Sequence, residues 1–291
     1  MVSYDPPENA SYLHEEVNIV LENGDLLAGS LTIPGRESRD SPIAILITGS
    51  SAHDRDNSKP GKPLDAYRPF RQIAHTLSSN GIAVLRMDDR GVGRSRGGDI
   101  NKMNTLERAA DIEQCITWIK SRPEIDPARI CLVGLSEGAS IAHIIASQDN
   151  SISGIVLLSG TGSKGKDIIA YQIQNGLLPE EDLQKILRRD PNMRFLNEFD
   201  PLESISQLTL AVLIIHGQTD RRVPCTDAYL LEEALVKAGN EKVSVYILPG
   251  YNHALLKEDP GGKDSSYGKI SSNQIPDEVL NLILSWIQQE I

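Results

Sequence analysis

The stretch Gly134-Leu135-Ser136-Glu137-Gly138 decides how this sequence is expected to fold. It directly follows residues 128–133, an apolar run typical of a buried strand, and it precedes the helix-like segment 139–147. A serine between two glycines at a strand-to-helix junction is typical of a sharp turn whose flanking positions must lack bulk. The pattern therefore predicts that Ser136 is presented on this turn as a candidate nucleophile.

A nucleophilic serine needs a histidine as base and an acid that orients the histidine. When the serine lies on such a strand-to-helix turn, the acid and then the histidine are expected after later strands of the chain. Asp220 follows one predicted strand, and His253 follows the next. Only His253, among six histidines, comes after both the serine and a strand-end aspartate, whereas His216 precedes the acid and is interpreted as structural. We predict a catalytic triad of Ser136, Asp220 and His253.

Strands and helices alternate along most of the chain. An Asn-Gly turn at residues 23–24 predicts an N-terminal β-hairpin. Further strands are predicted at 43–48, 82–87, 129–135, 152–159, 210–216 and 243–248, and helices at 67–79, 105–121, 136–147, 226–238 and 276–290. Apolar strands between helices indicate a mostly parallel sheet of about eight strands, covered on both faces, with the hairpin at its antiparallel edge.

One segment interrupts this alternation. Residues 163–206 have helical periodicity, many charges and prolines at 179, 191 and 201. We predict that they form a helical lid inserted within a single domain spanning residues 1–291, although an insertion without a role would have the same pattern. Residues 257–273, rich in glycine and serine, are predicted to be a mobile loop after His253.

Two further loops carry a resemblance to a known family. Residues 47–56, Ile-Thr-Gly-Ser-Ser-Ala-His-Asp-Arg-Asp, are similar to a G-S-G-x-x-D-R-D loop, and residues 87–95, Met-Asp-Asp-Arg-Gly-Val-Gly-Arg-Ser, to a D-x-R-G-x-G-x-S turn. With the triad pattern, the chain resembles the α/β-hydrolase superfamily, and within it bacterial serine carboxylesterases of the prolyl-oligopeptidase and dienelactone-hydrolase side. It departs from them at Ser51, Ala52, Leu135 and Ala139, where Gly, Pro, His and Gly are common.

The resemblance implies an oxyanion hole built from two backbone N–H groups. These are the N–H of Glu137, directly after the serine, and that of Ser50, for which the neighbouring Ser51 is an alternative. The Glu137 carboxylate would oppose a developing oxyanion, so we expect it to point away and to pair with Arg55. Ser51 and Arg55 are accordingly predicted to support the site from behind.

The resemblance implies an esterase that hydrolyses small, short-chain acyl esters through an acyl-enzyme, with neither cofactor nor metal ion. Three alternatives remain open from the sequence: a serine peptidase or aminopeptidase, an acyltransferase, and a ligand-binding protein without activity. The oligomeric state, including a homo-oligomer, is also open.

Composition narrows the range of partners. A net charge of −11 argues against nucleic acid or an anionic membrane surface, because both require a basic face. The sequence has no run of 18 apolar residues, and its polar start has no signal-peptide pattern. We therefore predict a cytoplasmic protein, although a secreted protein without its signal peptide would have the same sequence.

Overall fold

The computed structural model describes residues 4–35, 40–58, 66–258 and 273–291. Eight strands form one sheet in the order β1-β2-β4-β3-β5-β6-β7-β8. The strands are β1 Leu13–Val20, β2 Leu26–Ile33, β3 Ser41–Ile47, β4 Ala83–Met87, β5 Ile125–Leu135, β6 Ile152–Leu158, β7 Ala211–Gly217 and β8 Val243–Leu248. β1 and β2 pair antiparallel, β2 also meets β4 antiparallel, and the remaining pairs are parallel. The predicted sheet, with its antiparallel hairpin edge, is confirmed.

Helices cover both faces of the sheet. They are α1 Pro69–Ser78, α2 Thr105–Ile119, α3 Glu137–Ala146, α4 Gly165–Gln174, α5 Leu183–Arg189, α6 Pro191–Glu198, α7 Leu202–Ile205, α8 Asp227–Lys237 and α9 Asp277–Glu290. The start of α2 shows why helices begin where they do. The Asn104 side chain accepts from two N–H groups of the first turn, and the Glu107 side chain accepts from the Asn104 N–H. These N–H groups, which have no acceptor within the helix, therefore have hydrogen-bond partners.

The core has two halves because strand side chains alternate between the faces of the sheet. On β3, Ile43, Ile45 and Ile47 pack toward α2, α3 and α8, whereas Ala44 and Leu46 pack toward α1 and α9. All five side chains are buried. A central strand with two apolar faces is the reason that the sequence shows continuous apolar runs here.

Four helices, α4 to α7, lie between β6 and β7. We call residues 163–206, the segment predicted to be helical, the insertion. Residues 259–272 of the predicted mobile loop lie outside the described ranges. Within those ranges, no helix is both long enough and apolar enough to cross a membrane.

Candidate active site

The turn at Ser136 is strained and closely packed. Ser136 has φ 58° and ψ −118°, a conformation that non-glycine residues adopt at a cost of about 1–3 kcal/mol. A Cβ on Gly134 would lie 2.1 Å from the Gly138 carbonyl oxygen, and one on Gly138 would lie 2.1 Å from the Ile47 oxygen. The Ser136 N–H donates to Leu158 O at 2.8 Å, which fixes the turn to the end of β6. Both glycines are therefore required for β5, α3 and β3 to meet at this point.

Asp220 lies on the loop that follows β7, and all its acceptor positions are used. Its Oδ1 accepts from the backbone N–H groups of Arg222, at 2.8 Å, and Val223, at 3.0 Å. Its Oδ2 lies 2.7 Å from His253 Nδ1 and 3.1 Å from His216 Nε2. Burial acts to raise the pKa of Asp220, but the two histidines hold that pKa well below its usual range. The carboxylate is therefore kept ionised and fixed in orientation.

His253 follows β8 on a loop tied to the loop of the acid. Thr219 donates to Tyr251 O from its N–H, at 2.9 Å, and from its hydroxyl, at 2.8 Å. The Asn252 side chain accepts from the N–H of Ala254 at 2.9 Å. The side chain of His253 is 12% exposed, whereas that of Asp220 is fully buried. The imidazole is therefore partly accessible to solvent, whereas the carboxylate is not.

The three predicted triad residues all lie at the carboxyl edge of the sheet, after β5, β7 and β8. Ser136 is hydrogen bonded to the end of β6, and the Ser159 N–H donates to Ile215 O of β7 at 2.9 Å. Ligands of open α/β sheets bind beyond this edge.

The loop after β3 lies against the Ser136 turn. A Cβ added to Gly49 would lie 3.5 Å from Ser136 Cβ. The Gly49 N–H donates to Asn57 Oδ1 at 3.1 Å. The N–H of exposed Ser50 makes no hydrogen bond to any residue that the structure describes, and that of Glu137, at the first position of α3, has no acceptor within the helix. These are the two groups predicted to bind an oxyanion.

The predicted pair between Glu137 and Arg55 is wrong. The Arg55 guanidinium is fully buried and binds both oxygens of Asp88, with Nε–Oδ1 at 3.1 Å and Nη2–Oδ2 at 2.9 Å, and also Glu16 at 2.8 Å. Arg55 thus links the loop after β3 to Asp88, which follows β4, and to Glu16 of β1. The direction of the Arg55 side chain is set by the buried carboxylate of Asp88.

Glu137 pairs instead with Arg108 of α2. Arg108 Nη1 lies 2.9 Å from Glu137 Oε2, and both side chains are nearly buried. The Thr105 hydroxyl donates to Glu137 Oε1 at 2.9 Å, and Asn192 Nδ2 of the insertion lies 3.0 and 2.9 Å from the two oxygens. The carboxylate is held by four contacts from behind, so it faces away from the turn as expected.

Arg108 also reaches the loop after β3. Its Nη2 donates to Gly49 O at 2.9 Å and to Thr48 Oγ1 at 3.1 Å. One guanidinium therefore joins the residue after Ser136 to the residue before Ser50. Sequence reasoning missed Arg108. A signal was present, since this arginine takes a position on the helix face that continues with the apolar residues Ile112 and Cys115.

Asp89 supports the same loop. Its oxygens accept from the Thr48 hydroxyl at 2.8 Å and from the His53 N–H at 2.9 Å. Burial raises the pKa of Asp89 to about 6, against the opposing effect of Arg108. Asp89 therefore connects the turn after β4 to the loop after β3.

The insertion contacts the site at two further points. The Tyr171 hydroxyl of α4 donates to the backbone oxygen of Asp220 at 2.9 Å, and Gln172 Nε2 donates to Arg222 O at 3.1 Å. With the Asn192 contact, they attach α6 to the start of α3 and α4 to the loop that carries Asp220.

The order of the strands, the strained serine after β5 and the Asp–His pair after β7 and β8 define an α/β-hydrolase. A model of the prolyl oligopeptidase family matches residues 68–288, and the chain belongs to that family. The chain is therefore a serine hydrolase.

Individual relatives agree with this assignment. Esterase EstD of Thermotoga maritima is 25% identical over 300 residues, which cover 94% of this chain and 67% of that protein. YuxL of Bacillus subtilis, described as an uncharacterized peptidase, is 25% identical over 266 residues, covering 86% of this chain and 37% of that protein. The solved structure of the Pyrococcus furiosus esterase Pf2001 has the same fold, with a TM-score of 0.71 at 19% identity over 100% of this chain and 96% of that chain.

Proposed function

We propose that the chain is a carboxylesterase that hydrolyses small, short-chain acyl esters through an acyl-enzyme intermediate on Ser136. The observation that carries the proposal is the 2.7 Å contact between His253 Nδ1 and Asp220 Oδ2 at the same sheet edge as the strained serine. A buried carboxylate on one imidazole nitrogen leaves the other nitrogen as a base. The similarity to esterase EstD supports an ester as the substrate.

Each residue has a defined role in the proposed reaction. Ser136 Oγ attacks the ester carbonyl carbon while His253 Nε2 takes the hydroxyl proton, and a tetrahedral intermediate forms. The N–H groups of Glu137 and Ser50 stabilise its oxyanion. His253 then gives the proton to the departing alcohol, which leaves the acyl group on Ser136, and a water activated by His253 releases the acid.

The insertion is proposed to act as a lid. Its contacts at Tyr171 and Asn192, which attach α4 and α6 to the residues beside the acid and the nucleophile, support this role. A lid there would limit access of water and bound the acyl group. Arg55 and Ser51 are proposed to act only through the loop that carries Ser50. No cofactor or metal ion takes part in the proposed reaction, and a nucleic acid or a membrane is not a proposed partner.

Hydrolysis of p-nitrophenyl esters of graded acyl length tests the proposal. Ser136→Ala should lower kcat/KM by about 10³-fold or more with unchanged folding, because the acyl acceptor is lost. Ser50→Ala is the matched control, since its role uses the backbone N–H, and it should stay within about threefold of wild type. Loss of activity falling on Ser50→Ala rather than on Ser136→Ala would contradict the assignment.

A peptidase is the second candidate, because the family is that of prolyl oligopeptidase and YuxL is described as a peptidase. Matched p-nitroanilide and p-nitrophenyl ester substrates with the same acyl group separate the two. The proposed esterase should prefer the ester by more than their difference in intrinsic reactivity. An anilide rate equal to the ester rate would favour the peptidase.

A further inference from the structure

His216 lies at the end of β7, four residues before Asp220, and its side chain is fully buried. Its Nε2 lies 3.1 Å from Asp220 Oδ2 and 3.2 Å from the Val223 carbonyl oxygen. The same carboxylate oxygen lies 2.7 Å from His253 Nδ1. One oxygen of the proposed catalytic acid is therefore shared by two imidazoles.

The protonation of His216 follows from its neighbours. Both atoms near Nε2 are acceptors, so Nε2 must carry a proton. Nδ1 is buried and has no hydrogen-bond partner among the residues that the structure describes. A proton on Nδ1 would be a buried donor without an acceptor, so the observed contacts are those of the tautomer with its proton on Nε2. The Nε2–H of His216 is therefore shared between Asp220 Oδ2 and the Val223 carbonyl oxygen, and its burial keeps it away from substrate.

We propose that His216 is a positioning residue that holds Asp220 for the catalytic histidine and limits the negative charge that Asp220 presents to it. This inference rests on the proposed function. Backbone N–H groups of Arg222 and Val223 fix Oδ1, and His216 fixes Oδ2, so the carboxylate cannot turn away from His253. The Nε2–H dipole also places positive partial charge beside His253, which disfavours a second positive charge there.

The effect of His216 on the charge of His253 can be measured from the pH dependence of the reaction. His253 must be neutral to accept the serine proton, so activity falls on the acid limb of the profile of kcat/KM against pH. Without the His216 donor, Asp220 stabilises charged His253 more strongly, and the acid limb should move to higher pH. Other titratable or charged groups around this cluster are Tyr171 of the insertion, Arg221 and Cys225, Arg222, and Tyr246 on β8, which pairs with Ile215. They are present in wild type and variants alike, so they do not alter the comparison.

The experiment compares His216→Leu with His216→Gln in the full chain, using p-nitrophenyl acetate. Leu removes the donor, whereas the Gln amide nitrogen can occupy the position of Nε2. We expect Leu to lower kcat by about 10- to 100-fold, to leave KM within about twofold, and to move the acid limb upward by about 0.5–1 pH unit. Gln should keep kcat within about fivefold of wild type and leave the acid limb in place.

Three outcomes would overturn the proposal: a Leu variant with wild-type kcat and acid limb, an acid limb that moves downward, or equal losses in the Leu and Gln variants. If His216→Leu fails to fold, His216→Asn replaces it, since the shorter Asn places its donor near Nδ1 rather than Nε2. Ser136→Ala and His253→Ala are measured in parallel. If both keep activity, the proposed function fails, whereas their inactivity beside an unaffected His216→Leu rejects only the positioning role.

Discussion

Replacing Arg108 with Met should weaken the fold and the site together. Met keeps much of the side-chain volume but removes the ion pair with Glu137 and the hydrogen bonds to Thr48 and Gly49. Removing one partner of a buried ion pair costs about 3–5 kcal/mol, because the other charge is left buried. Thr105 and Asn192 still donate to Glu137, so we expect the lower end, about 3 kcal/mol, which lowers Tm by about 5 °C in a chain of this length.

The assay is urea unfolding followed by calorimetry, for wild type, Arg108→Met and Arg108→Met/Glu137→Gln. The double variant should recover about 1–2 kcal/mol, because the amide no longer carries a stranded charge. Lys120→Met is the control, since its pair with Asp149 is one-third exposed and should contribute below about 1 kcal/mol. Arg108→Met should also lower kcat by about tenfold or more, because the two proposed oxyanion donors are no longer held together.

An Arg108→Met cost below about 1 kcal/mol, or a double variant no more stable than the single, would refute the reasoning about a buried charge. Normal stability with reduced kcat would instead limit Arg108 to the site.

Three other predictions address the turn, the insertion and pH. Gly138→Ala should lower the free energy of unfolding by about 3 kcal/mol or more, because its Cβ would overlap Ile47 O. Gly239→Ala is the control in the same unfolding assay. Its Cβ would meet no atom within 4 Å but the residue has φ +88°, so it should cost about 1 kcal/mol. Asn192→Ala should lower kcat/KM for p-nitrophenyl esters by about tenfold, because the contact between the insertion and Glu137 is lost. Asn197→Ala is the control, since its side chain lies on the same helix and donates to Glu198, and it should change kcat/KM by less than about twofold. Equal effects would remove the insertion's role at Glu137. Burial raises the folded-state pKa of Asp89 from 3.8 to about 6, so the free energy of unfolding should fall as pH rises from about 4 to about 6. Asp89→Asn should make this fall less steep over the same window. An unchanged slope would contradict the assignment.

The sequence predicted the sheet well because β3, β5, β6 and β7 are buried on both faces and so must be continuously apolar. It predicted the Asp220–His253 contact because parallel strands end at one edge, and chain order then limits the candidates. Glycines on both sides of Ser136 were readable because their need is local and steric.

The partner of Glu137 could not be read in the same way. Arg108 and Asn192 reach it across 29 and 55 positions of the chain, and many charged residues of similar type occur in between. Sequence order carries no information on which long side chain crosses the core. The contact between His216 and Asp220 was missed because the position of His216, before the acid, matched a structural residue equally well.

The most direct test of the central claim is labelling with a fluorophosphonate, followed by intact mass and peptide mapping. We predict one label per chain, on the peptide that contains Ser136, and no label on the folded Ser136→Ala variant, since only an activated serine attacks the phosphorus. Labelling of another residue, or full labelling of Ser136→Ala, would contradict it.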